Sequence, residues 1–283
     1  MLELQAGDLL CRIEPQLGGC ITALACAGQP VLRPAAEPLG SARQASSYPL
    51  VPFSNRVGNA SLQWEGTLYA LVRNNGEEPH AIHGVGWQRA WEVLDCDRTF
   101  ALLSYEHRGD ASWPFAFDCS QSFRLAPGAL EVTLSITNQS GGPAPAGLGW
   151  HPFFPKRAGA HLSFHATGRW EMGDDKLPTQ RSASSGIGAD CAMLDVDHCF
   201  DGWDGAVVLR DERFTVRLSS TLTRLVVFTH PGREHIAIEP VSHVNNALSL
   251  VRQGVDAASL GLVTLAAGES MSAQMTIEVE RRP

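Results

Sequence analysis

A chain of 283 residues, 44% apolar and 18% charged, is long enough to bury a large core and too apolar to stay disordered. A formal charge of -8 with no Lys/Arg run argues against a nucleic-acid partner or an anionic membrane surface. Seven cysteines, none in a CxxC pair and most in apolar runs, read as free thiols of a reducing compartment.

The start, Met1 to Gln5, has no basic region ahead of an apolar core, so no signal peptide is expected. No stretch approaches the roughly 18 apolar residues of a membrane span. These features predict a soluble cytoplasmic protein. Strand-like runs begin near Leu9 and Ile21. Pro49 to Gly58 then brackets Asn55-Arg56 between two prolines and a glycine. An arginine there offers a planar fork of donors to hydroxyls or an oxyanion. A loop arginine paired with a carboxylate is the plainer alternative.

After a run at Leu68, Asn74-Asn75-Gly76 signals a turn and Pro79-His80-Ala81-Ile82-His83-Gly84 follows. Two histidines three apart fall on opposite faces of an extended strand and fit a bend. Their spacing matches no strong zinc signature, and no metal is expected. Trp87 and Trp91 come next; Trp91 reads as core, and Trp87 as core or as a flat platform for a sugar ring.

The middle of the chain has a period of two. Phe115, Phe117, Cys119, Phe123 and Leu125 share one parity, with Gln121 the exception, and Leu130, Val132, Leu134 and Ile136 alternate with polar residues. Such alternation predicts half-buried antiparallel strands. Gly147 to Phe154 then sets one ionisable group, His151, in an apolar run and follows it with a proline that breaks strand pairing. The competing reading is a core histidine at a strand end.

Gly173 to Cys191 is rich in Ser, Asp and Gly and reads as a long loop. Leu194 to Trp203 carries Asp195, Asp197, His198 and Asp201 beside Phe and Trp, which suits polyol recognition or a solvated acidic turn. Runs resume at Val207, Phe214, Leu225 and Ile236, and the last begins near Met275. Glu239 follows an apolar run and precedes Pro240; desolvation there would raise its pKa and make it a base near neutral pH. His243 lies nearby with no evident role. No long amphipathic helix, repeat or linker interrupts the pattern, so residues 1–283 are expected to form one all-β domain of two large packed antiparallel sheets.

The ordered set Asn55-Arg56, His83-Gly84, His151-Pro152-Phe153-Phe154, Asp197-His198 and Glu239-Pro240 resembles the aldose 1-epimerase (galactose mutarotase) family. The match runs from about Pro49 to Ala247, and its wording is nearest a bacterial branch whose members often have unassigned substrates. The resemblance implies a β-supersandwich and interconversion of α and β anomers of a free aldose, here an aldohexose, without cofactor or metal. It makes Glu239 the general base, His151 the general acid and His83 a second active-site histidine. Arg56 and Asp197 position the sugar; Asn55, His80 and Trp87 are placed with them. An anionic hexose, such as sulfoquinovose or a hexose 6-phosphate, is the alternative substrate, with Lys156, Arg157 and Arg169 as its cationic candidates. A non-catalytic sugar-binding protein and a carbohydrate lyase or hydrolase are the alternatives of other classes. The chain is expected to be a monomer or homodimer.

Overall fold

The computed structural model describes residues 1–282. Nine antiparallel strands form one sheet, in the order Glu92–Cys96, Phe100–His107, Phe117–Ala126, Ala129–Asn138, Ser270–Arg281, Phe214–Ser220, Ala206–Arg210, His161–Phe164 and Ile187–Asp190. Its centre is where the period of two is clearest. Ala129–Asn138 alternates strictly between half-buried and buried residues, and Leu130, Val132 and Leu134 are fully buried. Each such side chain is worth about 1.5–3 kcal/mol of transfer free energy. The break in parity at Gln121 is a buried amide that donates to Gly19 O at 3.0 Å and accepts from Trp150 Nε1 at 3.2 Å. A polar group at that depth persists because both its ends are bonded.

The second large sheet runs Pro178–Ala183, Gly168–Met172, Val196–Asp201, Arg224–Thr229, His235–Val241, Gly149–Trp150 and Pro49–Leu50, with Phe153–Pro155 also paired on His235–Val241. Its inward residues, among them Phe200, Leu225, Val227, Ile236 and Ile238, join the core of the nine-stranded sheet. The outer face is also covered. Val226, Ala237 and Val241 pack there with Tyr48, Trp87 and the short helices Ala247–Arg252 and Ala257–Leu260. Burial on both faces explains why Ile236 to Ile238 is apolar at every position and does not alternate.

The long loop expected over Gly173 to Cys191 is corrected: it contains the strands Pro178–Ala183 and Ile187–Asp190, each the last of its sheet. Edge strands with mostly exposed side chains carry no apolar alternation, so their sequence looks like loop. Leu194 to Trp203, likewise, is mostly strand and not a turn. Among the described residues, no helix is long and apolar enough to cross a membrane. The cysteines are all free, six of them buried and Cys96 exposed.

Candidate active site

The floor of the site follows from strand register. Asp197 lies opposite Phe228, and Val226 opposite Glu239, with Cys199 and Ala237 completing the ladder. Period-two geometry therefore puts Asp197, Val226, Phe228 and Glu239 on one face, the outer face of the second sheet. There they line a cavity of about 280 Å³. That is near the lower end of the roughly 300–1,000 Å³ usual for small-molecule sites, which suits one small molecule better than a polymer.

His151 hangs into this cavity from a gap between strands. Gly149–Trp150 pairs with Pro49–Leu50, and pairing resumes at Phe153 opposite Ala237. Between them Pro152 has no N–H to pair, and His151 N–H turns to Tyr48 O at 3.0 Å. The imidazole is stacked on the Tyr48 ring at 4.7 Å between centroids and packed against Phe153 at 4.4 Å. Its Nε2 lies 3.2 Å from Glu239 Oε1. His151 Nδ1 and Glu239 Oε2 have no partner among the described residues. Burial shapes both groups: it pushes Glu239 well up, helped by the neighbouring Asp197, and pulls His151 well down, helped by Arg43 and Arg33.

The third buried group is His83, whose donor atoms lie within 4.8 Å of those of His151 and Glu239. It is held by a backbone clasp. His83 N–H donates to Asn55 O at 2.8 Å, and Asn55 N–H donates to His83 Nδ1 at 3.1 Å. With Nδ1 accepting, the neutral ring carries its proton on Nε2. Burial, then His151, lowers its pKa well below 6.5 and keeps it neutral. The clasp requires unusual backbone: φ is +53° at Asn55, +61° at His83 and +68° at Gly84. Asparagine tolerates this region, and at Gly84 any Cβ would overlap the Val51 carbonyl, so only glycine serves.

Arg56 is buried and forks onto Glu78, with Nε to Oε2 at 3.0 Å and Nη2 to Oε1 at 3.1 Å. Lys176 adds a third bond to Glu78 at 2.8 Å. Burial works against the Glu78 charge, but Arg56 and Lys176 hold its pKa down at about 2. Asp197 differs: burial raises its pKa, with Arg56 and His198 opposing, and its carboxylate faces the cavity without a hydrogen-bond donor among the described residues. It is a ready acceptor for ligand hydroxyls.

The other expected residues fall elsewhere. His80 does not line the cavity; its Nδ1 accepts Asn59 N–H at 2.9 Å and its Nε2 meets Asp175 O at 2.9 Å, so both nitrogens are spent on loop structure. Trp87 is buried behind Tyr48, 5.9 Å between ring centroids, and offers no platform to a sugar. Lys156 bonds Thr229 Oγ1 and His230 O, Arg157 pairs with Asp211 and Arg169 with Glu171, so none of the three cationic candidates faces the cavity. Asp195 is exposed, His198 pairs with Glu171 at 3.4 Å, and Asp201 holds Arg181 and Trp170 Nε1. His243 supports the site from below: its Nδ1–H meets Val244 O at 2.8 Å and its Nε2 accepts Ser54 N–H at 3.2 Å, just ahead of Asn55.

Sequence reasoning missed Arg43, Asn75, Glu78, Lys176, Phe228 and Arg233, all of which line the cavity. Lys176 sits in the turn of a hairpin that reads as loop, and Arg43 and Arg233 stand in polar stretches with no motif. Only Glu78, next to Pro79 in the histidine segment, lay within reach of a sequence signal.

A scan against protein families matches residues 1–278 to aldose 1-epimerase. The chain is 30% identical to an uncharacterized Escherichia coli K12 protein, YphB, over 98% of each chain. It is similar to a crystal structure from Escherichia coli K12 provisionally described as an aldose 1-epimerase, at 29% identity and a TM-score of 0.88, covering 99% of this chain and 98% of that one. Galactose 1-epimerase from Lactobacillus acidophilus, at 14% identity, shares the fold with a TM-score of 0.77 over 99% of this chain and 93% of its own. With its outer-face histidine–glutamate pair and a family match over nearly its whole length, this chain belongs to the aldose 1-epimerase family.

Proposed function

We propose that the protein interconverts the α and β anomers of a free aldohexose, with Glu239 as base and His151 as acid. The observation that carries this is the 3.2 Å contact between His151 Nε2 and Glu239 Oε1 on the floor of a cavity of monosaccharide size. The anomeric carbon bears two oxygens, the hydroxyl and the ring oxygen. Ring opening removes a proton from the first and adds one to the second. Because both oxygens sit on one carbon, acid and base must be neighbours, which favours an adjacent pair over the separated carboxylates of glycoside hydrolysis.

The proton count closes on itself. With His151 protonated and Glu239 ionised, Glu239 takes the hydroxyl proton as His151 gives its own to the ring oxygen. The C1–O5 bond breaks and the hydroxyl oxygen becomes the aldehyde oxygen. Both groups are now neutral, the form that burial favours. Rotation about the C1–C2 bond turns the other aldehyde face to the C5 hydroxyl. Closure with the roles reversed restores the starting pair and delivers the other anomer. His83, donating from Nε2, supports the oxygen that His151 serves. Arg56 and Asp197 hold ring hydroxyls as donor and acceptor.

Polarimetry on freshly dissolved α-D-glucose and α-D-galactose tests this, with NMR exchange spectroscopy at equilibrium as a second reading. Acceleration over the spontaneous rate, unchanged by a chelator and lost in Glu239→Gln, is the expected result. Binding of one anomer without acceleration would instead make the protein a sugar-binding module. Loss of activity on chelation would turn His83, His151 and Glu239 into metal ligands.

A further inference from the structure

An aromatic ring meets both imidazoles of the site. Tyr48 is buried, stacked on His151 at 4.7 Å with 25° between planes, and in edge contact with His83 at 5.9 Å and 75°. The two histidines meet each other at 5.2 Å and 81°. The three rings close a triangle, and Tyr48 is the member that does not line the cavity. It acts on a sugar only through the other two.

Backbone bonds place this ring. Tyr48 O accepts His151 N–H at 3.0 Å, and Ser46 O accepts Phe153 N–H at 2.9 Å. On the other side, Ser46 and Ser47 are tied to Ile21, on strand Cys20–Cys26 of a separate four-stranded sheet. Ser46 N–H and Ser47 N–H both donate to Ile21 O, at 2.9 and 3.1 Å, and Ile21 N–H donates to Ser47 O at 2.8 Å. Ser46 Oγ adds a bond to Thr22 O at 2.7 Å. Residues 46–48 thus form a strap bonded on both sides, and a ring carried on it has little freedom to move.

The contact with His151 has chemical content beyond volume. In the proposed reaction that imidazole must carry a proton before it gives one to the ring oxygen. Burial first, then Arg43, Arg33 and His235, works against the charge. The Glu239 carboxylate at 3.2 Å favours it. So does the face of the Tyr48 ring, since an aromatic face attracts a cation within about 6 Å of its centroid. Phe153 lies 4.4 Å from His151, but its ring already carries the Arg33 guanidinium at 3.8 Å. Resting on the mutarotase reading above, we infer that Tyr48 is a positioning residue of the reaction: its ring holds the protonated His151 and fixes the angle at which the two histidines meet the sugar. The role belongs to the ring and not to the hydroxyl, so phenylalanine fulfils it and an aliphatic side chain does not.

The test compares wild type with Tyr48→Phe, Tyr48→Leu and Tyr48→Met, each first shown to be folded by circular dichroism. The two aliphatic variants fill the space differently, so one serves if the other unfolds. NMR exchange on glucose and galactose gives kcat and KM. Tyr48→Phe should stay within about twofold of wild type, since the aromatic face is kept. Tyr48→Leu and Tyr48→Met should lose about three- to tenfold in kcat, within reach of one desolvated cation–π contact. KM should barely change, because Arg56 and Asp197 still hold the hydroxyls. A second reading needs no sugar. Ring-nitrogen NMR shifts of His151, followed against pH, report its imidazolium fraction. That fraction should be smaller in the aliphatic variants than in wild type at the same pH, and unchanged in Tyr48→Phe. A folded aliphatic variant with wild-type kcat, or with the wild-type imidazolium fraction, overturns the inference. So does a Tyr48→Phe that loses as much as Tyr48→Leu, which would give the role to the hydroxyl. A wild type that accelerates neither sugar removes the mutarotase reading, and the ring-nitrogen titration then decides on Tyr48 by itself.

Discussion

His151 Nε2 lies 3.2 Å from Glu239 Oε1, and the other polar atoms of the pair, His151 Nδ1 and Glu239 Oε2, are buried with no partner among the described residues. The two groups therefore act as one unit that holds a single proton. Glu239→Gln and His151→Asn should each lower kcat/KM by about 10²–10⁴-fold, the usual worth of a positioned acid or base. The double variant should lose little more than the worse single one, because half the unit does not work alone. Polarimetry reads all three. Fully additive losses would mean that the residues act in separate steps.

The same pair sets the pH dependence. Burial raises the pKa of Glu239 above 4.5 and lowers that of His151 below 6.5, so the one-proton state spans the interval between two displaced values. The profile of kcat/KM should be a broad bell whose plateau spans the interval between the two displaced values, with both groups protonated on the acid side and both ionisable protons lost on the alkaline side. A histidine acting alone as acid would instead lose activity as pH rises through about 6.5. A decline centred there would break the coupled-pair account.

Glu239 should also cost stability. Its folded pKa is raised, so above 4.5 the unfolded chain releases a proton that the folded chain keeps, and stability falls as pH rises toward the folded value. Glutamine resembles the protonated acid and never ionises. Glu239→Gln should therefore melt higher than wild type, by about 2–4 °C for each kcal/mol relieved, and the gap should widen as pH rises from 4.5 toward the folded value. A variant that melts lower at every pH would show the carboxylate to be structurally required.

The fold was legible wherever one face of a strand met the core. Leu130 to Ile136 and Phe117 to Leu125 announce the nine-stranded sheet by parity alone. Legibility ended at the sheet edges, where Pro178–Ala183 has little to bury, and in Leu194 to Trp203, whose acidic residues hide a strand with Val196, Cys199 and Phe200 buried. In the site, Glu239 and His151 were visible because an ionisable group within an apolar run is rare. Arg43 and Arg233 were not, since a half-buried arginine in a polar stretch looks like surface until the fold brings it to a cavity. Trp87 misled for the opposite reason: indoles suit sugars and cores equally, and the fold puts this one behind Tyr48.

Gly84 is where backbone geometry and chemistry meet. Its φ of +68° follows His83 at +61°, and a Cβ there would overlap Val51 O. That carbonyl cannot move aside, because it accepts from Val85 N–H at 2.9 Å and Gly86 N–H at 3.1 Å. Gly84→Ala must shift the turn that holds His83 against Asn55. Strain at such a position is worth about 1–3 kcal/mol before any overlap, so the melting temperature should fall by about 5–10 °C. Gly141→Ala, where a Cβ meets nothing within 4 Å, should stay within about 0.5 kcal/mol of wild type. Folded Gly84→Ala should also lose kcat, because His83 sits next in the chain and its Nδ1 acceptor geometry depends on the clasp. If it melts and turns over like Gly141→Ala, the turn is soft and the left-handed His83–Gly84 pair does not position the site.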